Sequence, residues 1–278
     1  MRVCYLDGQY LPLAEARVSV LDRGFIFGDA VYEVIPVIEG QLFALTEHLT
    51  RLANSLAATE IANPFDGPSW QALLEALVAA NGGGNQSLYL QVTRGVAERD
   101  HAFPVGLEPT VFAMCKPQAM SGGLSCVSAV TLDDNRWGRC DIKSTALLPN
   151  VLLRNQAIRR GAYEAILLRD GLLTEGAASN VFVVRDGVVQ TPPPSALLLP
   201  GVTRALLLDV MRRSGEAVEE CAVAAAALHA ADEVWITSSS RDLVCVSELD
   251  GRPVGGGRHY AVAERVLAAF QAWRATGL

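Results

Sequence analysis

Five acidic residue–glycine dipeptides, Asp7-Gly8, Glu39-Gly40, Asp170-Gly171, Asp186-Gly187 and Asp250-Gly251, stand between β-rich apolar runs. A two-residue turn that joins strands without splaying them needs positive φ at both central positions. Glycine adopts such values freely and aspartate tolerates them. The dipeptides therefore predict hairpins in two β-rich stretches, one early (3–45) and one late. Between and after them the apolar period changes to a helical one. Residues 46–58, with Thr46 as N-cap, carry Leu49, Leu52, Ala53 and Leu56 as an apolar stripe, and 69–80 form a second amphipathic helix. Further helices are expected over 150–160, stopped by Gly161, from Pro200-Gly201-Val202-Thr203 to about Arg213, and over 260–273. Residues 87–94, 111–115 and 232–237 read as strands. This mixture predicts an α/β (α+β) protein of two domains. A smaller N-terminal domain covers 1–116, a linker 117–123 breaks all periodicity, and a larger C-terminal domain covers 124–278.

Composition narrows the classes of function. Half of the 278 residues are hydrophobic, enough for sizeable cores. A formal charge of −7 argues against nucleic acid and anionic membrane surfaces as partners. Met1-Arg2-Val3 leads directly into strand-like sequence, and no apolar stretch is long enough to span a bilayer. The alanine-rich run 222–231 is short and contains His229, so it reads as a packed helix. The six cysteines form no C-x-x-C pair and no metal-ligand spacing with the four histidines, which points to reduced thiols, a cytoplasmic protein and no metal. The triple glycines at 82–84 and 255–257 lack the strand and helix of a phosphate loop and read as loops.

One cation is conspicuous. The chain has 21 arginines and two lysines, Lys116 and Lys143. A surface cation can be either residue, but a guanidinium never deprotonates, whereas a desolvated lysine amine can attack a carbonyl and form a Schiff base. Lys116 lies in a Lys-Pro loop and reads as incidental. Lys143, in Cys140-Asp141-Ile142-Lys143-Ser144, is the candidate nucleophile. The N-terminus of the helix beginning at Pro200-Gly201-Val202-Thr203, with the Thr203 hydroxyl, makes a natural phosphate seat.

Six blocks in one order carry a resemblance. They are Asp22-Arg23-Gly24-Phe25, Gly28-Asp29-Ala30-Val31-Tyr32-Glu33, Glu47-His48-Leu49-Thr50-Arg51-Leu52, the Lys143 block, Thr174-Glu175-Gly176-Ala177-Ala178-Ser179-Asn180, and Pro200-Gly201-Val202-Thr203-Arg204. From about Tyr5 to Trp273 the chain resembles the fold-type IV enzymes of pyridoxal 5′-phosphate (PLP). That family includes D-amino acid transaminases, branched-chain aminotransferases and aminodeoxychorismate lyases. The resemblance implies a two-domain fold-type IV transferase that binds PLP as a Schiff base on Lys143, which also moves the Cα proton. It implies that Glu175 faces the pyridine nitrogen. Arg51, Val202, Thr203, Ser238 and Ser239 are implied as anchors of the cofactor phosphate, and Asn180 as a support of the loop around Glu175. Arg99 and His101, with Tyr32, resemble the set with which the D-amino acid enzymes trap the substrate α-carboxylate, on a loop that reaches the site from the partner subunit of a homodimer. Cationic and phenolic donors suit a carboxylate. The implied reaction exchanges a D-amino acid such as D-alanine or D-glutamate with a 2-oxoacid. Branched-chain L-amino acid aminotransferase and aminodeoxychorismate lyase stand as alternatives on the same scaffold. Ala177-Ala178 and Ser238-Ser239-Ser240 depart from the serine- and threonine-richer family pattern.

Overall fold

The computed structural model describes residues 2–119, 122–257 and 260–276. The chain divides into two compact units: Met1–Met120 with Ile142–Leu147, and Ser121–Asp141 with Leu148–Leu278. The expected linker, 117–123, includes positions 120 and 121, which lie outside the described residues. The strand before it continues through Pro117.

The first unit contains β1 (Val3–Leu6), β2 (Gln9–Pro12), α1 (Arg23–Phe27), β3 (Ala30–Ile38), β4 (Gln41–Leu42), α2 (Leu45–Ala58), α3 (Gly67–Ala80), β5 (Gln86–Thr93) and β6 (Thr110–Pro117). Its strands pair antiparallel in the order β2-β1-β6-β5-β3-β4. Alternation sends Val31, Ile35 and Val37 of β3 and Leu88, Leu90 and Val92 of β5 to one face. There they form a core with Leu52 and Leu56 of α2 and Trp70, Leu74 and Leu77 of α3. Each fully buried side chain of this size contributes about 1.5–3 kcal/mol.

The second unit contains β7 (Ser125–Asp133), α4 (Leu148–Arg159), β8 (Glu164–Arg169), β9 (Leu172–Gly176), β10 (Asn180–Arg185), β11 (Val188–Thr191), α5 (Val202–Ser214), β12 (Val218–Glu220), α6 (Ala225–His229), β13 (Glu233–Ser238), β14 (Arg241–Leu249), β15 (Arg252–Pro253) and α7 (Ala261–Thr276). Its mixed sheet runs β12-β11-β10-β13-β14-β7-β8-β9, with β15 on β14. The parallel contacts are β11–β12, β14–β7 and β7–β8. Among the described residues no helix is long and apolar enough to cross a membrane.

All five acidic–glycine turns form as expected: φ is positive at Asp7, Glu39, Asp170, Asp186 and Asp250 and at the glycine after each. Two local expectations are corrected. Asp22-Arg23-Gly24-Phe25, read within a stretch of strands, opens the short helix α1, because Asp22 Oδ1 accepts from Gly24 N–H at 2.7 Å and caps it. The cap of α2 is not Thr46 but Ala44, at φ 53°, and α2 begins at Leu45. Gly255-Gly256-Gly257 turns with left-handed φ of 57°, 68° and 77°, as expected of a loop. The alanine-rich run supplies α6, a single turn long, with Val223, Leu228 and Ala231 buried.

Candidate functional site

In the first unit the edge of β3 decides where Lys143 stands. Strand β4 pairs with Val37 and Ile38, and residues 143–145 join β3 at its other end. Tyr32 N–H donates to Lys143 O, and Thr145 N–H donates to Ala30 O, both at 2.9 Å. Lys143 N–H donates to Ser55 Oγ of α2 at 3.2 Å. Ile142 lies buried in the first core, so the lysine is anchored on both its main-chain and its neighbour's apolar side. Its Nζ then lies 4.3 Å from the centroid of the Tyr32 ring, which stacks on Tyr89 with centroids 5.7 Å apart. Burial pushes the thiol of Cys140, three residues earlier, up to about 11, so it is no competing nucleophile at neutral pH.

The pleat of β3 puts Glu33 on the opposite face from Tyr32, toward α2. There His48 and Arg51, one helical turn apart, converge on its carboxylate. Arg51 donates from Nε to Oε1 at 2.8 Å and from Nη2 to Oε2 at 2.7 Å. His48 Nδ1 donates to Oε2 at 2.7 Å. All three side chains are buried, Glu33 completely. Burial would raise the Glu33 carboxyl, but Arg51 and His48 outweigh it and bring it down to about 2. Burial, partly opposed by Glu33, lowers His48. The resemblance singled out Arg51 alone. Glu33 and His48 stood in quoted blocks without a role, although polar groups at i and i+3 beside Leu52 and Leu56 signal a buried partner.

Arg99 and His101 lie exposed in the loop after β5 and gather on Phe27 of α1. The Arg99 Cζ is 5.3 Å from the Phe27 centroid, and the His101 ring is 5.5 Å from it.

The second unit holds Glu175 near the end of β9. Arg136 Nη1 donates to its Oε1, while Asn180 Nδ2 and Leu199 N–H donate to Oε2 at 3.2 and 3.0 Å. Arg136 is itself gripped by Asp134, which accepts from Nε and Nη2, both at 2.9 Å. Asp134 accepts a further bond from Thr174 Oγ1 at 2.9 Å. Burial works against the Arg136 cation, but Asp134 and Glu175 reverse the effect and raise it. Asn180 also donates to Leu199 O at 2.9 Å, and so links Glu175 to the segment before α5. A Cβ on Gly201 would meet Asn180 Oδ1 at 1.9 Å, so this close approach requires glycine there. Asp134 and Arg136 were not anticipated, since Asp-x-Arg in an irregular stretch carries no signal of its own.

Val202 and Thr203 are buried in the first turn of α5, capped by Gly201. Amides of a first helical turn have no intrahelical acceptor and favour anions. Ser238 ends β13 and Ser239 follows in the turn to β14, both half-buried, with Ser238 Oγ 3.1 Å from Ser240 Oγ. Beside them opens a cavity of about 140 Å³ lined by Ser179, Thr237, Ser238 and Arg241. The buried Thr237 hydroxyl has no hydrogen-bond partner among the described residues.

The amino-transferase class IV family model matches residues 30–249. A D-alanine aminotransferase of Bacillus licheniformis is 42% identical over 98% of this chain and 96% of its own. One from Listeria innocua is 40% identical over 92% of this chain and 90% of its own. Among solved structures, a fold IV-transaminase from Curtobacterium pusillum is similar at TM-score 0.85 and 29% identity, covering 98% of this chain and 99% of that one.

Proposed function

The chain belongs to the class IV aminotransferases, PLP-dependent transferases of fold type IV, and from that premise we propose that it exchanges a D-amino acid, D-alanine or D-glutamate, with a 2-oxoacid. The residues suit PLP chemically. A lysine amine stands against a tyrosine ring, a buried carboxylate carries a guanidinium, an amide and a backbone N–H, and hydroxyls of Thr203 and Ser238 accompany the helix amides that suit a phosphate. The orphaned Thr237 hydroxyl beside Ser238 marks that end of β13 as polar space. When bound, PLP supplies the electron sink for a carbanion at Cα of the amino acid.

In this reading Lys143 Nζ would hold the cofactor and, once the substrate's amino group has displaced it, would be the free amine that moves the Cα proton. Glu175 faces the pyridine nitrogen and favours its protonated form by charge pairing. Arg51, with its plane fixed by Glu33, anchors the phosphate together with Val202, Thr203, Ser238 and Ser239. Tyr32, Arg99 and His101 receive the α-carboxylate. The protein works as a cytoplasmic homodimer, its partner subunit supplying that loop. Exposed apolar side chains on the first unit, Val20, Phe25 and Val105 among them, support association with a second copy. The sequence boundary between the two halves of the protein falls at 117–123.

The observation that carries the reading is the pinned Lys143, with Nζ 4.3 Å from the Tyr32 ring centroid. The test adds D-alanine or L-alanine to the purified holoenzyme and follows loss of the cofactor's visible band. D-alanine alone should bleach it, and borohydride should then fix the cofactor of untreated enzyme to Lys143. Equal bleaching by L-alanine would favour the branched-chain alternative, and a tag on Lys116 would overturn the lysine assignment.

A further inference from the structure

Two buried arginines of the first unit have no part in the scheme above. Arg23 opens α1 and Arg94 follows β5, and both reach one carboxylate. Arg23 donates from Nε to Asp29 Oδ2 at 2.8 Å. Arg94 donates from Nε and Nη2 to Asp29 Oδ2 and Oδ1 at 2.7 and 2.9 Å. Two guanidiniums on one carboxylate leave a net positive charge away from water, which requires further acceptors. Main-chain carbonyls supply them. Arg94 donates to Glu60 O at 2.8 Å and Thr59 O at 2.7 Å. Arg23 Nη1 donates to Asp100 O at 2.6 Å and Ala102 O at 3.4 Å, the residues on either side of His101.

The same arginines hold the loop through its rings. The Arg94 Cζ lies 3.6 Å from the centroid of Phe103, which is half exposed. Arg23 Cζ lies 4.8 Å from the centroid of Phe27, the ring on which Arg99 and His101 gather. The loop's neck is narrow too: Gly95 has φ +109°, and a Cβ there would meet Glu108 O at 2.2 Å. An exposed loop with no ladder of its own is thus tied at 100 and 102 by charge-assisted bonds from a fixed guanidinium.

We propose that Arg23, braced by Asp29 and Arg94, is the positioning residue for the loop that carries Arg99 and His101, and so sets affinity for the substrate's α-carboxylate. This rests on the reading that those two residues bind the carboxylate. The physical gain is preorganisation: a loop already held in shape loses less conformational entropy when the substrate binds. Because Asp29 keeps its two bonds from Arg94, replacing Arg23 strands no buried carboxylate.

The experiment compares holoenzymes of wild type, Arg23→Gln, Phe103→Ala and Arg99→Ala by steady-state kinetics with D-alanine and by hydrogen exchange over residues 97–104. Arg23→Gln should raise KM about tenfold, the effect of losing one charge-assisted hydrogen bond. Its kcat should stay within about twofold, since no catalytic group has moved. Exchange over 97–104 should quicken while that of α2 stays as in wild type. Phe103→Ala, on the surface, should give a smaller shift of the same kind. Unchanged KM and exchange in Arg23→Gln, or a fall in kcat with KM unchanged, overturns the proposal. Should Arg23→Gln not fold, Phe103→Ala decides by the same criteria. If Arg99→Ala leaves KM unaltered, the carboxylate reading fails; if Arg99→Ala raises KM and Arg23→Gln does not, the positioning role alone fails.

Discussion

Each unit contains a buried glutamate held by an arginine among its candidate site residues, Glu33 with Arg51 and Glu175 with Arg136, and the two pairs are built in opposite senses. In the first, Glu33 is fully buried and receives both Nε and Nη2 of Arg51 as well as Nδ1 of His48. In the second, the fork of Arg136 is taken by Asp134, and Glu175 receives its Nη1. The first geometry fixes a guanidinium, with the carboxylate as the support. The second fixes a carboxylate, with the arginine as the support and Asp134 as its counterweight. The same two residue types thus fix a cation in one unit and an anion in the other, which under the proposed function would meet the cofactor's phosphate and its pyridine nitrogen.

This contrast makes Glu175 the residue whose change should act most strongly on chemistry and least on the fold. In Glu175→Gln, Arg136 keeps the fork on Asp134, so the cofactor should remain bound while Cα proton transfer slows by about two to three orders of magnitude, as for other preorganised electrostatic groups. Stopped-flow measurement of the half-reaction with D-alanine checks it. A near-wild-type rate would place another group at the nitrogen and dissolve the contrast.

Glu33→Gln should behave in the converse way. It strands a buried guanidinium, which costs about 3–5 kcal/mol of stability, readable in urea unfolding, and loosens the cofactor. Acid sharpens the test. Glu33 has a folded value of about 2 against 4.5 ordinarily, so its contribution is complete above 4.5 and is lost as pH falls from there toward 2. The shift corresponds to about 3 kcal/mol. His48, lowered by burial where Glu33 is lowered by its partners, acts with the same sign but begins to lose stability below 6.5. The difference in stability between wild type and Glu33→Gln should therefore shrink between pH 4.5 and 2. A difference independent of pH in that window would show that Glu33 acts by packing and not by charge.

Asn180→Ala should have the smallest effect. Glu175 loses one of its donors but keeps Arg136 and the Leu199 amide, so the half-reaction should slow by about tenfold or less. A loss as large as that of Glu175→Gln would make Asn180, and not Arg136, the main support of the carboxylate.

What the chain declared locally it declared well. An acidic–glycine turn depends on the φ of two adjacent residues, and helix periods depend on a dozen neighbours, so the five hairpins and the long helices were legible from residue order. Lys143 and Glu175 were legible as candidates because amine and carboxylate chemistry belongs to the residue type and its block. Tertiary structure decided the rest. The period of two in β3 and of 3.6 in α2 had to meet before Glu33, His48 and Arg51 formed one buried group. Lys143 gained its place only when residues 142–147 left their chain neighbours to join the open edge of β3, formed more than a hundred residues earlier. Asp134 and Arg136 likewise acquired a purpose only when β9 brought Glu175 beside them. These are pairings between distant segments, set by which backbone edges and apolar faces remain to be covered, and no local pattern records that.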